Sequence, residues 1–119
     1  MKLGAVYRES DTHSLVPRVW KAASAIERMR GLLGRPPLRS GEGLLINACN
    51  MVHTVGMHYA LDLVFLDATG HIRKLVCNVK PLRCAGAFTA TTTLELPAGS
   101  LATLGLSLGE QLTWRTFEA

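Results

Sequence analysis

The run Leu61-Asp-Leu-Val-Phe-Leu66 sets five apolar side chains and one carboxylate into six consecutive positions. Strand side chains alternate, so Leu61, Leu63 and Phe65 share one face and Asp62, Val64 and Leu66 the other. Both faces are mainly apolar, which is the pattern of a strand covered on both sides. A carboxylate in such a strand has to be hydrogen-bonded or paired, because an unpaired buried charge is very costly. Glu95, between Leu94 and Leu96, repeats the situation in a second β-rich segment.

Around that strand the chain reads as short elements. Met1 to Thr12 and Leu15 to Ala22 are strand segments, and Pro17 marks the second as an edge strand. Ser24-Ala-Ile-Glu27 is a capping box. It opens a helix whose Ile26, Met29 and Leu33 form one apolar stripe, with Gly34 ending it and Pro36-Pro37 preventing a restart. Gly43 to Ala48 is a short strand, and Cys49 to Met57 has no period and reads as a loop. Asp67-Ala-Thr-Gly70 supplies turn chemistry between Leu61–Leu66 and a returning strand over 71–78. Thr91 to Leu96 stops at Pro97, Ala98 to Leu104 is a second short helix, and Gln111 to Phe117 a closing strand. One domain over residues 1–119 is expected. Its fold is α+β: a small, strongly bent antiparallel or mixed sheet, or a barrel, with two short helices. Trp20 and Trp114, one on each terminal strand, are expected in the core.

Composition excludes several classes. No apolar run approaches the roughly 20 residues of a membrane span, and the N-terminus lacks a signal-peptide pattern. The three cysteines, Cys49, Cys77 and Cys84, are not a disulfide framework, so a cytoplasmic location is expected. Cys77 reads as a small buried hydrophobe. The net charge of +4 is concentrated in Arg28, Arg30, Arg35 and Arg39 and in Arg73, Lys74, Lys80 and Arg83. No aromatic residue lies between Arg28 and Arg39 to offer the stacking that single-strand binders use. A solvated surface explains these groups more simply than a nucleic-acid partner.

Four blocks, in order, resemble a known family. They are Arg28-Met-Arg-Gly-Leu-Leu-Gly-Arg35, Val52-His-Thr-Val-Gly-Met57 leading to Leu61–Asp67, Leu94-Glu-Leu-Pro-Ala-Gly99, and Gly105-Leu-Ser-Leu-Gly109. Over about residues 15 to 115 the chain resembles the domain-of-unknown-function 192 (DUF192) family. In many members the middle block begins with Trp-Met and carries Asn-Thr. His53-Thr54 stands there instead, which marks a His-Thr subgroup. The resemblance implies a compact, barrel-like α+β fold, found both secreted and cytoplasmic. It implies no reaction and no catalytic residues.

The candidate binding site is a polar pocket of Asn50, His53 and Thr54 from the aperiodic segment with Asp62 and Glu95 from the two strands. The structural alternative has Asp62 and Glu95 accepting from loop N–H groups such as those of Asn50 to Gly56, each bond contributing roughly 1.5–3 kcal/mol. On either reading, Asp62→Asn and Glu95→Gln are expected to destabilise. His53 is either a poised group beside a carboxylate or a ring packed against Val52, Val55 or Met57. Neither Cys-x-x-Cys nor His-Glu-x-x-His occurs, so no metal and no cofactor are expected. Cys49 with His53 lacks any sign of oxyanion donors, and there is no Gly-x-Ser-x-Gly elbow or phosphate loop. The first functional expectation is a non-enzymatic binding or accessory module for a small molecule or peptide segment, acting as a monomer or small homo-oligomer. The alternative is a small hydrolase- or lyase-type enzyme using His53 with Asp62 or Glu95.

Overall fold

The computed structural model describes residues 1–117. Nine strands and two short helices follow one another as β1 (Lys2–Arg8), β2 (Ser14–Ala22), α1 (Ala25–Arg30), β3 (Glu42–Asn47), β4 (Met51–His53), β5 (Leu61–Leu66), β6 (Ile72–Val79), β7 (Cys84–Gly86), β8 (Thr92–Pro97), α2 (Ser100–Leu104) and β9 (Leu112–Thr116). Seven strands form one mixed sheet in the order β6-β5-β8-β3-β2-β1-β9, and β4 pairs with β7 in a separate ribbon. The fold is α+β, and the sheet is not closed into a barrel. Its two ends meet at one corner, where His71 bridges Gln111 and the Ile72 and Leu112 N–H groups donate to Glu110 and Gly70. Gly70 allows that approach: its φ is +85, and a Cβ there would lie 2.4 Å from the Leu112 carbonyl oxygen.

β5 is buried at every position. Its Leu61, Leu63 and Phe65 join Leu44 and Ile46 of β3 in one cluster, covered by Leu32, Val52 and Met57. Its Val64 and Leu66 join Leu45, Leu94, Leu96, Val6, Val19 and Leu112 in a second, against which Leu101 and Leu104 of α2 pack. The two-faced reading of Leu61–Leu66 therefore describes the sheet: the α1 segment and the β4–β7 ribbon cover one face, and α2 covers part of the other.

Several local expectations change. β2 is an interior strand, antiparallel to β1 and parallel to β3. Pro17 is tolerated because the β1–β2 register breaks between Gly4/Val19 and Val6/Val16 and the β2–β3 ladder begins only at Arg18, so no ladder asks for its missing N–H. α1 ends at Arg30, with Gly31 rather than Gly34 as its C-cap at φ 53. Leu33 falls outside the helix, and Ile26 and Met29 are 78% and 82% exposed, so the apolar stripe is not a core face. The capping box is present in both directions. Met51–His53 is a strand, not a loop. Cys77 is exposed. Trp20 and Trp114 are half-buried, the latter donating to the Val19 carbonyl at 3.0 Å. No helix among the described residues is long and apolar enough to cross a membrane.

Candidate functional site

Two strand registers decide where the carboxylates go. Asp62 lies opposite Leu96, and Leu63 opposite Glu95; residues directly opposite one another project to the same face. Leu96 belongs to the cluster under α2 and Leu63 to the cluster under α1. Asp62 and Glu95 thus stand on opposite faces of the sheet and do not share a pocket.

Asp62 is fully buried and accepts two backbone N–H groups, Asn78 at 2.8 Å and Leu101 at 2.9 Å. Asn78 has a positive φ of 55, and Leu101 is in the first turn of α2, whose N-cap Gly99 supplies no side-chain bond. The carboxylate therefore fastens a kink in β6 and acts as the missing cap of α2. These are not the N–H groups of residues 50–56, but the role is the structural one.

Glu95 is different. It is 4% exposed, and no described residue gives it a hydrogen bond or ion pair. Burial alone pushes its carboxyl from an ordinary 4.5 up to about 7. Burial and then the Glu95 charge push the Tyr59 phenol up, against a weak opposing contact with the Leu38 backbone. The Tyr59 hydroxyl makes no hydrogen bond of full geometry.

Glu95 reaches solvent space through a cleft of about 80 Å³ between α1 and β4. The local sequence builds this cleft. The capping box starts α1, Gly31 turns the chain out of it, and Leu32 then packs into the core. β4 is held opposite by pairing with β7. Met29, Met51 and Met57 line the walls, with Cys49 and His53 beside them. The chain has four methionines, so three of them lie here. The Cys49 thiol is turned onto the Met51 carbonyl at 3.2 Å. Among the described residues, no three His, Cys, Asp or Glu side chains converge as a metal site would require.

The five sequence candidates are divided. His53 and Glu95 line the same cleft. Thr54 is fully buried; its hydroxyl lies within reach of the Lys80 and Arg83 carbonyls and accepts from the Arg83 N–H at 2.9 Å, pinning the turn between β6 and β7. Asn50 is exposed, and its carbonyl accepts from Ala87. Asp62 is on the far face. His53 is exposed on β4 rather than packed in the core, and no hydrogen bond or ion pair joins it to Asp62 or Glu95 among the described residues. Truncation, His53→Ala, is therefore expected to change stability by less than about 0.5 kcal/mol. A urea melt that shifts by more would place the ring in a packing role. From sequence, Met29 and Met57 have only packing roles and Met51 none; the signal that they form one wall is that three of the four methionines fall within residues 29–57.

Four larger clefts, of about 400 Å³ beside α2, 410 Å³ under Pro36-Pro37, 280 Å³ beside the Asp67–Gly70 turn and 320 Å³ beside Arg8, lack a comparable group. Their acids are engaged by the chain's own donors: Glu42 by the Arg39 N–H, Asp67 by Arg73, Glu110 by Arg8 and Glu9 by the Thr113 hydroxyl.

The fold has known counterparts. A crystal structure from Sinorhizobium meliloti 1021, of a protein provisionally named a transcription regulator, is 26% identical with a TM-score of 0.78, over 95% of this chain and 92% of that one. A protein of unknown function from Novosphingobium aromaticivorans DSM 12444 is 22% identical with a TM-score of 0.77, over 94% and 84% of the two chains. No curated protein is significantly similar to the chain. The family model for DUF192, described as "Uncharacterized ACR", matches residues 6–114, and the chain belongs to that family.

Proposed function

We propose that this protein is a non-enzymatic binding module whose ligand, a small molecule or a peptide segment, sits in the α1–β4 cleft above Glu95. One observation carries the reading: three methionines line the same cleft as a buried carboxylate to which no described residue gives a hydrogen bond or ion pair. Methionine is adaptable and polarizable, and recurs on surfaces that must accept a ligand. The exposed Ile26, Met29 and Met51 extend the apolar surface outward from the cleft mouth. His53 belongs to the same site, at its rim.

A second reading has one observation of its own. A carboxyl titrating near 7 is poised for proton transfer, as an enzyme would need. Binding is favoured because His53 is not joined to either carboxylate. The Sinorhizobium neighbour's name raises a regulatory role, which ligand or partner binding would serve. Direct nucleic-acid contact is less well supported. Arg28, Arg30 and Arg35 donate to the chain's own carbonyls, at Ala23, Leu33 and Gly31. The unpaired cysteines fit a reducing compartment such as the cytoplasm.

Labelling the methionine methyls with carbon-13 tests this. A mixed set of small amines, acids, alcohols and short peptides is expected to contain compounds that shift Met29, Met51 and Met57 but leave Met1 in place. No shift from any compound would remove the cleft as a site. Shifts accompanied by chemical conversion of the compound would replace the binding reading with the enzymatic one.

A further inference from the structure

Resting on that reading, we propose that the α1–β4 cleft is a receptor for a primary alkylammonium group, held by the Glu95 carboxylate at its floor and by methionine walls along its stem. A buried acid with no partner among the described residues is half of an ion pair, and the missing half is a cation able to donate hydrogen bonds. The cleft's volume of about 80 Å³ corresponds to roughly two or three waters. That admits an ammonium and its last methylenes. Thioether and leucine walls suit methylenes and offer an ammonium no competing donor. The shared chemistry belongs both to a free alkylamine and to a lysine side chain presented by a polypeptide.

The charged groups around Glu95 do not oppose this. From α1, Arg28, half-buried, and Arg30, exposed, line the mouth, but their guanidiniums are turned onto the Ala23, Leu33 and Gly34 carbonyls. Exposed charges are screened by solvent, whereas Glu95 is buried. From the other side come Cys49, whose thiol is engaged with Met51, exposed His53, and Tyr59. Because Glu95 must be ionised to hold an ammonium, and burial places its titration at about 7, affinity should rise roughly tenfold between pH 6 and 8.

The experiment uses the whole chain, labelled at the methionine methyls, titrated with n-butylamine, with the neutral isostere 1-butanol, and with Nα-acetyl-lysine N-methylamide. Expected are saturable shifts of Met29, Met51 and Met57 with the amine and at least tenfold weaker binding of the alcohol. Glu95→Gln should lower amine binding to the alcohol's level. The pH dependence should persist in His53→Ala and vanish in Glu95→Gln. Binding of the lysine derivative at least as tight as n-butylamine assigns the natural source to a polypeptide side chain; a preference for n-butylamine assigns it to a free amine. The ammonium reading is overturned if the alcohol binds as well as the amine, or if Glu95→Gln leaves amine binding unchanged. If neither ligand moves the three methyls while acids or neutral peptides do, the cleft is still a binding site and only the ammonium assignment fails.

Discussion

At pH 8, Glu95→Met is expected to be more stable than the native chain by about 2–3 kcal/mol, which for a domain of this size raises the melting temperature by roughly 10 °C. The reason is the state of the carboxyl. In the unfolded chain it gives up its proton near its ordinary value of 4.5, and in the fold it keeps the proton until about 7. Across that interval the folded state binds more protons, so stability falls as pH rises from about 4.5 to about 7 and is level on either side. Holding the ionised form in apolar surroundings without a partner costs on the order of 3 kcal/mol above pH 7. A methionine of similar volume removes that cost and adds apolar contact. Thermal melts at pH 5 and pH 8 check both halves. The native chain should lose stability between the two, and the variant should lose little. A variant less stable than the native chain at pH 8 would mean that Glu95 has a partner and that its burial is structural. The destabilisation expected from the sequence for Glu95→Gln rests on the carboxylate being satisfied, and no described residue gives Glu95 a hydrogen bond or ion pair.

Asp62→Ala is expected to move the other way, losing about 3 kcal/mol or more. Two bonds from backbone N–H groups end on this one carboxylate, and bonds to a charged acceptor contribute roughly 1.5–3 kcal/mol each. Removing it takes the acceptor from the Asn78 N–H and the Leu101 N–H, both in partly buried bonds, and leaves a gap where the fully buried carboxylate stood. Asp62→Asn, which keeps one acceptor oxygen but turns a donor toward the second N–H, should lose about half as much. Equilibrium unfolding in urea measures both, and amide exchange at Leu101 should quicken as α2 loses its acceptor. If Asp62→Ala melts within about 0.5 kcal/mol of the native chain, water replaces the carboxylate and the capping role is wrong. The opposite signs expected at positions 62 and 95 separate an acid that the fold satisfies from one that no described residue satisfies.

Those signs could not be read from sequence, although both acids could be picked out. Alternation tells which residues within Leu61–Leu66 share a face. It does not tell which face of one strand aligns with which face of another, and that depends on the pairing of Asp62 with Leu96 and Leu63 with Glu95. Where the determining chemistry is local, the reading held. The Ser24–Glu27 box, the Asp67–Gly70 turn and the limits of Leu61–Leu66 all stand as expected. Where it depends on distant partners, the reading gave way. Pro17 does not require an open edge because the register of β1 bends around it. β4 and β7 are three residues each, too short for periodicity to register, and are strands only because they pair with each other. Ile26 and Met29 have core spacing but no core to face, since α1 stops a turn early.

The corner where His71 meets Gln111 joins the two ends of the sheet only at the start of β6. From Arg73 onward the outer side of that strand has no neighbour in the seven-stranded sheet. An open row of backbone donors and acceptors is a template on which a second copy of the chain can stack, the first step of edge-to-edge aggregation. Arg73 and Lys74, both exposed, lie along this row, and the left-handed Asn78 distorts its far end. Within the chain, Arg73 is paired with Asp67 at 2.8 Å and Lys74 donates to the Gly86 carbonyl at 2.7 Å. A strand adding to this row would have to displace or bury both charges, which is costly, so Arg73 and Lys74 need no anionic partner to explain them.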